Sequence, residues 1–65
     1  MKSKPLEGLA RVGEAIQFLG LSKGKLYLMM EAGEIAFVKF GKCRRISWSE
    51  LHQLVERNTV STSKH

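Results

Sequence analysis

Few side chains in this chain have types and spacing that could support chemistry. His52 and His65 belong to no His-x-x-x-His or Cys-x-x-Cys pattern, so they offer no ready pair of metal ligands. The single cysteine, Cys43, excludes an intramolecular disulfide and a Cys-rich zinc site. Lys42, Arg44 and Arg45 beside it could lower its thiol pKa and make it redox-sensitive, but a small residue in a turn explains it more simply. Lys23-Gly24-Lys25 resembles a fragment of a phosphate loop without the full spacing or the preceding strand. With no nucleophile and base, no acid–base pair and no metal cluster, the expectation is a protein that is not an enzyme and holds neither metal nor cofactor.

The remaining chemistry is charge. Eleven Lys and Arg against six Glu and no Asp give a formal charge of +5 on 65 residues, a positive potential that draws anionic partners. Six of the eleven (Lys23, Lys25, Lys39, Lys42, Arg44 and Arg45) lie between Ser22 and Ile46, where the only acids are Glu31 and Glu34. A solvated basic face kept for solubility is the plain alternative. The length allows one small domain. The longest apolar run, Leu26 to Met30, is far below the roughly 20 residues that span a bilayer, and the N-terminus has no apolar stretch like that of a signal peptide. These features predict a soluble cytoplasmic protein, associated with the nucleoid if its partner is DNA, with no membrane partner.

The basic residues must be positioned by a few short elements. Ser22 is a good N-cap and Gly33 a good helix stop, with Leu26, Met29 and Met30 on one face between them. Gly24, Tyr27, Leu28 and Glu31 then face outward, with Lys23 and Lys25 on the flanks. Upstream, Val12, Ala15, Ile16 and Leu19 predict a helix over 12–19, in register with Leu9, although Arg11 stands where a Ser or Thr cap is expected. Gly20-Leu21 leaves only a tight turn between the two helices, the helix-turn-helix pattern, with Leu21 plugging the corner.

After Gly33 the spacing changes. Residues 34–40 and 44–46 are β-rich around Gly41-Lys42-Cys43, which predicts a hairpin. A two-residue loop pairs Val38 with Arg45 and puts Phe37 on the face of Ile46. A three-residue loop pairs Val38 with Ile46 and Lys39 with Arg45. The second segregates charge better and is the expected register; it leaves Arg44 opposite Phe40 and turns Phe37 outward. Ser47-Trp48-Ser49-Glu50 is a capping box opening a last helix with Leu51, Leu54 and Val55 inward, ended by Asn58, and Trp48 should lie over the core as a lid. The expected layout is a flexible arm over 1–8, a domain over 9–57 and a polar tail over 58–65.

This order of features resembles the excisionase family of small winged helix-turn-helix domains, related to the DNA-binding head of MerR regulators. Glu14-Ala15, Leu19-Gly20-Leu21-Ser22, Leu26-Tyr27, Gly33-Glu34-Ile35, Val38-Lys39-Phe40-Gly41, Arg45-Ile46 and Glu50-Leu51 carry the likeness, which covers about Leu9 to Val55. It implies an α+β winged helix-turn-helix fold, three short helices with a two-stranded wing in the order α-α-β-β-α. The second helix would enter the major groove of double-stranded DNA and the wing would touch backbone or minor groove. It also implies a role in recombination directionality for mobile elements, or in prophage and plasmid regulation, with an integrase or recombinase as partner. The chain departs from the family at Arg11, which could reach a phosphate, and at Leu28, where the family commonly has a basic residue.

The expected contacts follow from this. Ser22, Lys23 and Lys25 sit at the helix start, where amides and dipole favour phosphate, with Gly24, Tyr27 and Leu28 near base edges or sugar. Leu28 would meet a thymine methyl or a neighbouring subunit. Lys39, Lys42, Arg44 and Arg45 would hold the wing on the backbone. One such module covers only about 600 to 1,000 Å² of DNA, so several copies are expected to bind side by side cooperatively. The alternatives are a transcriptional regulator with the same contacts and a protein-interaction module built on Phe37, Leu28 and Trp48.

Overall fold

The computed structural model describes residues 8–61, and within them the chain runs β1 (Leu9–Arg11), α1 (Val12–Leu19), α2 (Lys23–Glu31), β2 (Val38–Phe40), β3 (Cys43–Ser47) and α3 (Trp48–Asn58). Three helices and a small antiparallel sheet make the α+β winged helix-turn-helix architecture that the sequence predicts. The parts of the expected arm and tail at 1–7 and 62–65 lie outside the described residues.

Helix boundaries follow local chemistry. At the start of α2 the Ser22 Oγ accepts from the Lys25 amide at 3.1 Å, satisfying one of the unpaired donors of the first turn. At its end the Gly33 amide donates to the Met30 carbonyl and the Glu34 amide to the Met29 carbonyl, a Schellman closure that needs the left-handed φ of +77° at Gly33. Arg11 precedes α1 in extended conformation. Its side chain has no acceptor, so Glu14 supplies the cap instead, accepting from the Arg11 amide through Oε1 at 2.9 Å. Gly20, at φ +69°, ends α1.

The last helix departs from the expected capping box. Ser47 Oγ accepts from the Glu50 amide at 3.0 Å, but the Glu50 carboxylate does not reach back to Ser47. Its Oε2 accepts instead from the Ala36 amide at 3.2 Å and pairs with Arg57 at 3.0 Å. Arg57 also donates to the Glu34 carbonyl. One carboxylate thus ties the segment leading into the hairpin to the helix behind it.

The sheet has the order β1-β3-β2 with both pairings antiparallel. Strand β1 adds a third strand to the two expected. Its three residues are too few for periodicity to reveal, and it exists because Ala10 lies across from Ile46, both fully buried. Leu9, which the sequence places in register with α1, instead stands on the exposed side of the sheet.

The hairpin takes the two-residue loop, correcting the register argued from charge segregation: Val38 pairs with Arg45, Lys39 with Arg44 and Phe40 with Cys43. Two causes select it. Gly41 has φ +61° and Lys42 does not share the positive φ, the pattern of a II′ turn, whose twist suits antiparallel strands. This register also turns Phe37 inward onto the core, while Phe40, across from Cys43 on the outer face, stays 57% exposed. The core itself is small: Ala10, Ala15, Leu26, Met29, Met30, Ile35, Ile46, Leu51 and Leu54. Leu21 packs against it at the corner and Trp48 covers one side, edge-on to Phe18 with ring centroids 5.7 Å apart.

Candidate nucleic-acid interface

Helix α2 divides as its sequence predicts. Leu26, Met29 and Met30 are buried, while Lys23, Gly24, Lys25, Leu28 and Glu31 are exposed and Tyr27 is half-buried. Leu28 is 68% exposed, so the centre of the outer face is an apolar side chain in solvent. Lys23 leans toward the Tyr27 ring, its Nζ 5.9 Å from the centroid. Lys25 stands on the other flank, at the edge of a shallow groove that includes Met29, Leu54 and Val55. Gly24 leaves open space, since a Cβ built there meets no atom within 4 Å.

The wing abuts this helix. Alternation along β3 puts Arg44 and Ile46 on the inner face and Cys43, Arg45 and Ser47 on the outer. Lys39, across from Arg44, shares the inner face. Arg45, across from both Val38 and Arg11, shares the outer one, and its Nη1 donates to the Arg44 carbonyl at 3.0 Å. Lys42 is exposed in the turn. The structure therefore places Lys39 and Arg45 on opposite faces of the hairpin rather than together.

Arg44 differs from the other wing cations. Its side chain is only 18% exposed, with the guanidinium carbon 4.9 Å from the Tyr27 centroid and 4.8 Å from the Phe37 centroid. Nη2 pairs with Glu31 at 3.3 Å, and Nη1 approaches the Met30 sulfur at 3.5 Å. The sequence missed this cluster because the expected register put Arg44 beside Phe40 and Phe37 outward. A usable signal was present: Glu31 is one of only two acids in the basic segment, and it stands four residues after Tyr27, on the same face of the helix.

The other residues with chemical potential fall elsewhere. Cys43 is exposed at the hairpin tip. His52 stacks at a tilt on Phe18, centroids 5.0 Å apart, and His65 lies outside the described residues. Among the described residues no three His, Cys, Asp or Glu are grouped to hold a metal ion, and no helix is long and apolar enough to cross a membrane. A polypeptide with this layout presents an exposed helix and a basic hairpin side by side, a pair that fits a groove and its flanking phosphates.

Comparison with known proteins agrees. A family model described as a helix-turn-helix domain matches residues 11–59, from the cap of α1 to just past the end of α3. No curated protein and no solved structure matches the chain.

Proposed function

We propose, from the premise that this chain belongs to the helix-turn-helix domain family and binds double-stranded DNA, that it is an excisionase-type recombination directionality factor. Helix α2 enters the major groove, with the Ser22 end and Lys23 and Lys25 on phosphate and Gly24, Tyr27 and Leu28 against base edges or sugar. The wing sets Lys39, Lys42 and Arg45 on the backbone, and Arg11, across the sheet from Arg45, extends the same charge. The observation that carries this reading is the packing of the wing's inner face on α2 through Arg44, which makes helix and wing one continuous surface.

A surface of about 600 to 1,000 Å² is modest for site selection, so adjacent copies share the task. They bind side by side at an attachment site of a mobile element and shape the DNA for an integrase or recombinase. The test is selection from random duplexes, footprinting on the selected sequence and reconstitution with the integrase encoded nearest the gene. Repeated adjacent footprints and a shift of the recombinase toward excision are the expected results. A single isolated footprint on straight DNA, or a site confined to a promoter with no effect on recombination, would replace this role with that of a transcriptional regulator.

A further inference from the structure

Arg44 looks, in sequence, like one more phosphate contact in the run Lys42-Cys43-Arg44-Arg45. Its surroundings assign it a different task. The guanidinium lies over two aromatic rings, Tyr27 of α2 and Phe37 just ahead of β2, its carbon 4.9 and 4.8 Å from their centroids. Its charge is met by Glu31 at 3.3 Å, and its remaining edge faces the Met30 sulfur. A phosphate competing for this group would have to displace Glu31 and draw the guanidinium off both rings. A planar guanidinium can lie flat on a ring and hydrogen-bond through its edge at the same time, whereas a Lys ammonium over a ring is a point charge that cannot do both.

We propose that Arg44 is a positioning residue for DNA recognition: it fixes the wing against helix α2 by stacking on Tyr27 and Phe37 and pairing with Glu31, and does not itself contact DNA. This explains why an acid stands on the outer face of α2. Glu31, 67% exposed, opposes phosphate by its charge, yet it holds the cation that sets the spacing between helix and wing. Tyr27 takes a double role, with one part of its ring in the clamp and the rest of the side chain on the recognition face. Lys39, Lys42 and Arg45 then carry the wing's phosphate contacts, and Arg44 determines where they fall.

The proposal rests on the DNA-binding reading above, and the salt dependence of binding separates the two. The full chain is titrated against its best duplex from a random-sequence selection at several salt concentrations, beside Arg44→Ala, Arg44→Lys, Glu31→Gln and Lys42→Ala, each first shown by thermal melting to be folded at the assay temperature. A lost phosphate contact makes the slope of log affinity against log salt shallower by about 0.9, the result expected for Lys42→Ala. For a clamp, Arg44→Ala weakens binding about 5- to 30-fold with the slope unchanged, and Arg44→Lys, which keeps the charge but not the stack, fails to restore it.

Glu31→Gln keeps the core intact and gives the sign. The clamp predicts a loss of about 2- to 5-fold, whereas charge alone predicts tighter binding. Arg44→Ala with a slope shallower by about 0.9 and rescue by Arg44→Lys would overturn the clamp. So would tighter binding by Glu31→Gln, or variants that melt earlier yet bind as tightly when folded. A wild-type slope near zero would instead withdraw the DNA reading itself.

Discussion

Arg44 and Arg45 are adjacent in sequence, identical in type and opposite in surroundings. Arg44 lies on the inner face of the hairpin against Tyr27, Phe37 and Glu31, whereas Arg45 lies on the outer face with Arg11 and Val38 across from it. The period of two along a strand is the whole cause, because neighbouring side chains must point to opposite faces. At Arg44 the inner face is where the wing meets its own protein, although Lys39 on that same face stays exposed; Arg45 on the outer face and Lys42 at the tip are the wing's other cations available to a partner. Basic residues in a wing therefore cannot be assigned to phosphate by type alone; the register decides.

The strongest way to break the comparison is to attack what pins the inner face. Ile46, fully buried next to Arg45, should cost about 2 to 5 kcal/mol when replaced by Ala, enough to unfold a domain this small or bring it close, as a thermal or urea melt would show. Gly41→Ala tests the turn that sets the register. A Cβ there meets no atom within 4 Å, so the cost comes only from the positive-φ backbone of the turn, about 1 to 3 kcal/mol in the same melt.

Arg45→Ala sharpens the contrast from the other side. Its stability should stay within about 0.5 kcal/mol of the parent, while the salt slope of DNA binding becomes shallower by about 0.9. The smallest expected effect is that of Leu28→Ala. With no charge and little burial, it should leave melt and salt slope unchanged but alter the ranking of selected duplexes at one position. An unaltered ranking would make Leu28 an incidental surface residue.

Much of this was legible in the sequence because it is encoded locally. Ser22, Gly20, Gly33 and Ser47 mark helix ends through their own backbone and hydroxyl chemistry, and the apolar spacing of Leu26, Met29 and Met30 gives the inner face of α2 without tertiary information. What was not legible depends on partners distant in the chain. Strand β1 is defined by Ile46 and its neighbours rather than by its own three residues. Glu50 leaves its expected cap because Arg57 and the Ala36 amide offer more. The hairpin register was argued from the segregation of charge, but the II′ turn at Gly41 and the burial of Phe37 outweighed it. An inner-face Arg44, costly in isolation, is compensated by two rings and an acid that the strand alone does not reveal.

The central claim is that helix α2 and the wing form one cationic surface for double-stranded DNA. The most direct test is the salt dependence of the wild-type chain on its selected duplex. With Lys23, Lys25, Lys39, Lys42, Arg45 and Arg11 as the available cations and four to six phosphates neutralised, log affinity should fall against log salt with a slope of about −4 to −5. A slope near zero, with affinity held from low to physiological salt, would contradict the account.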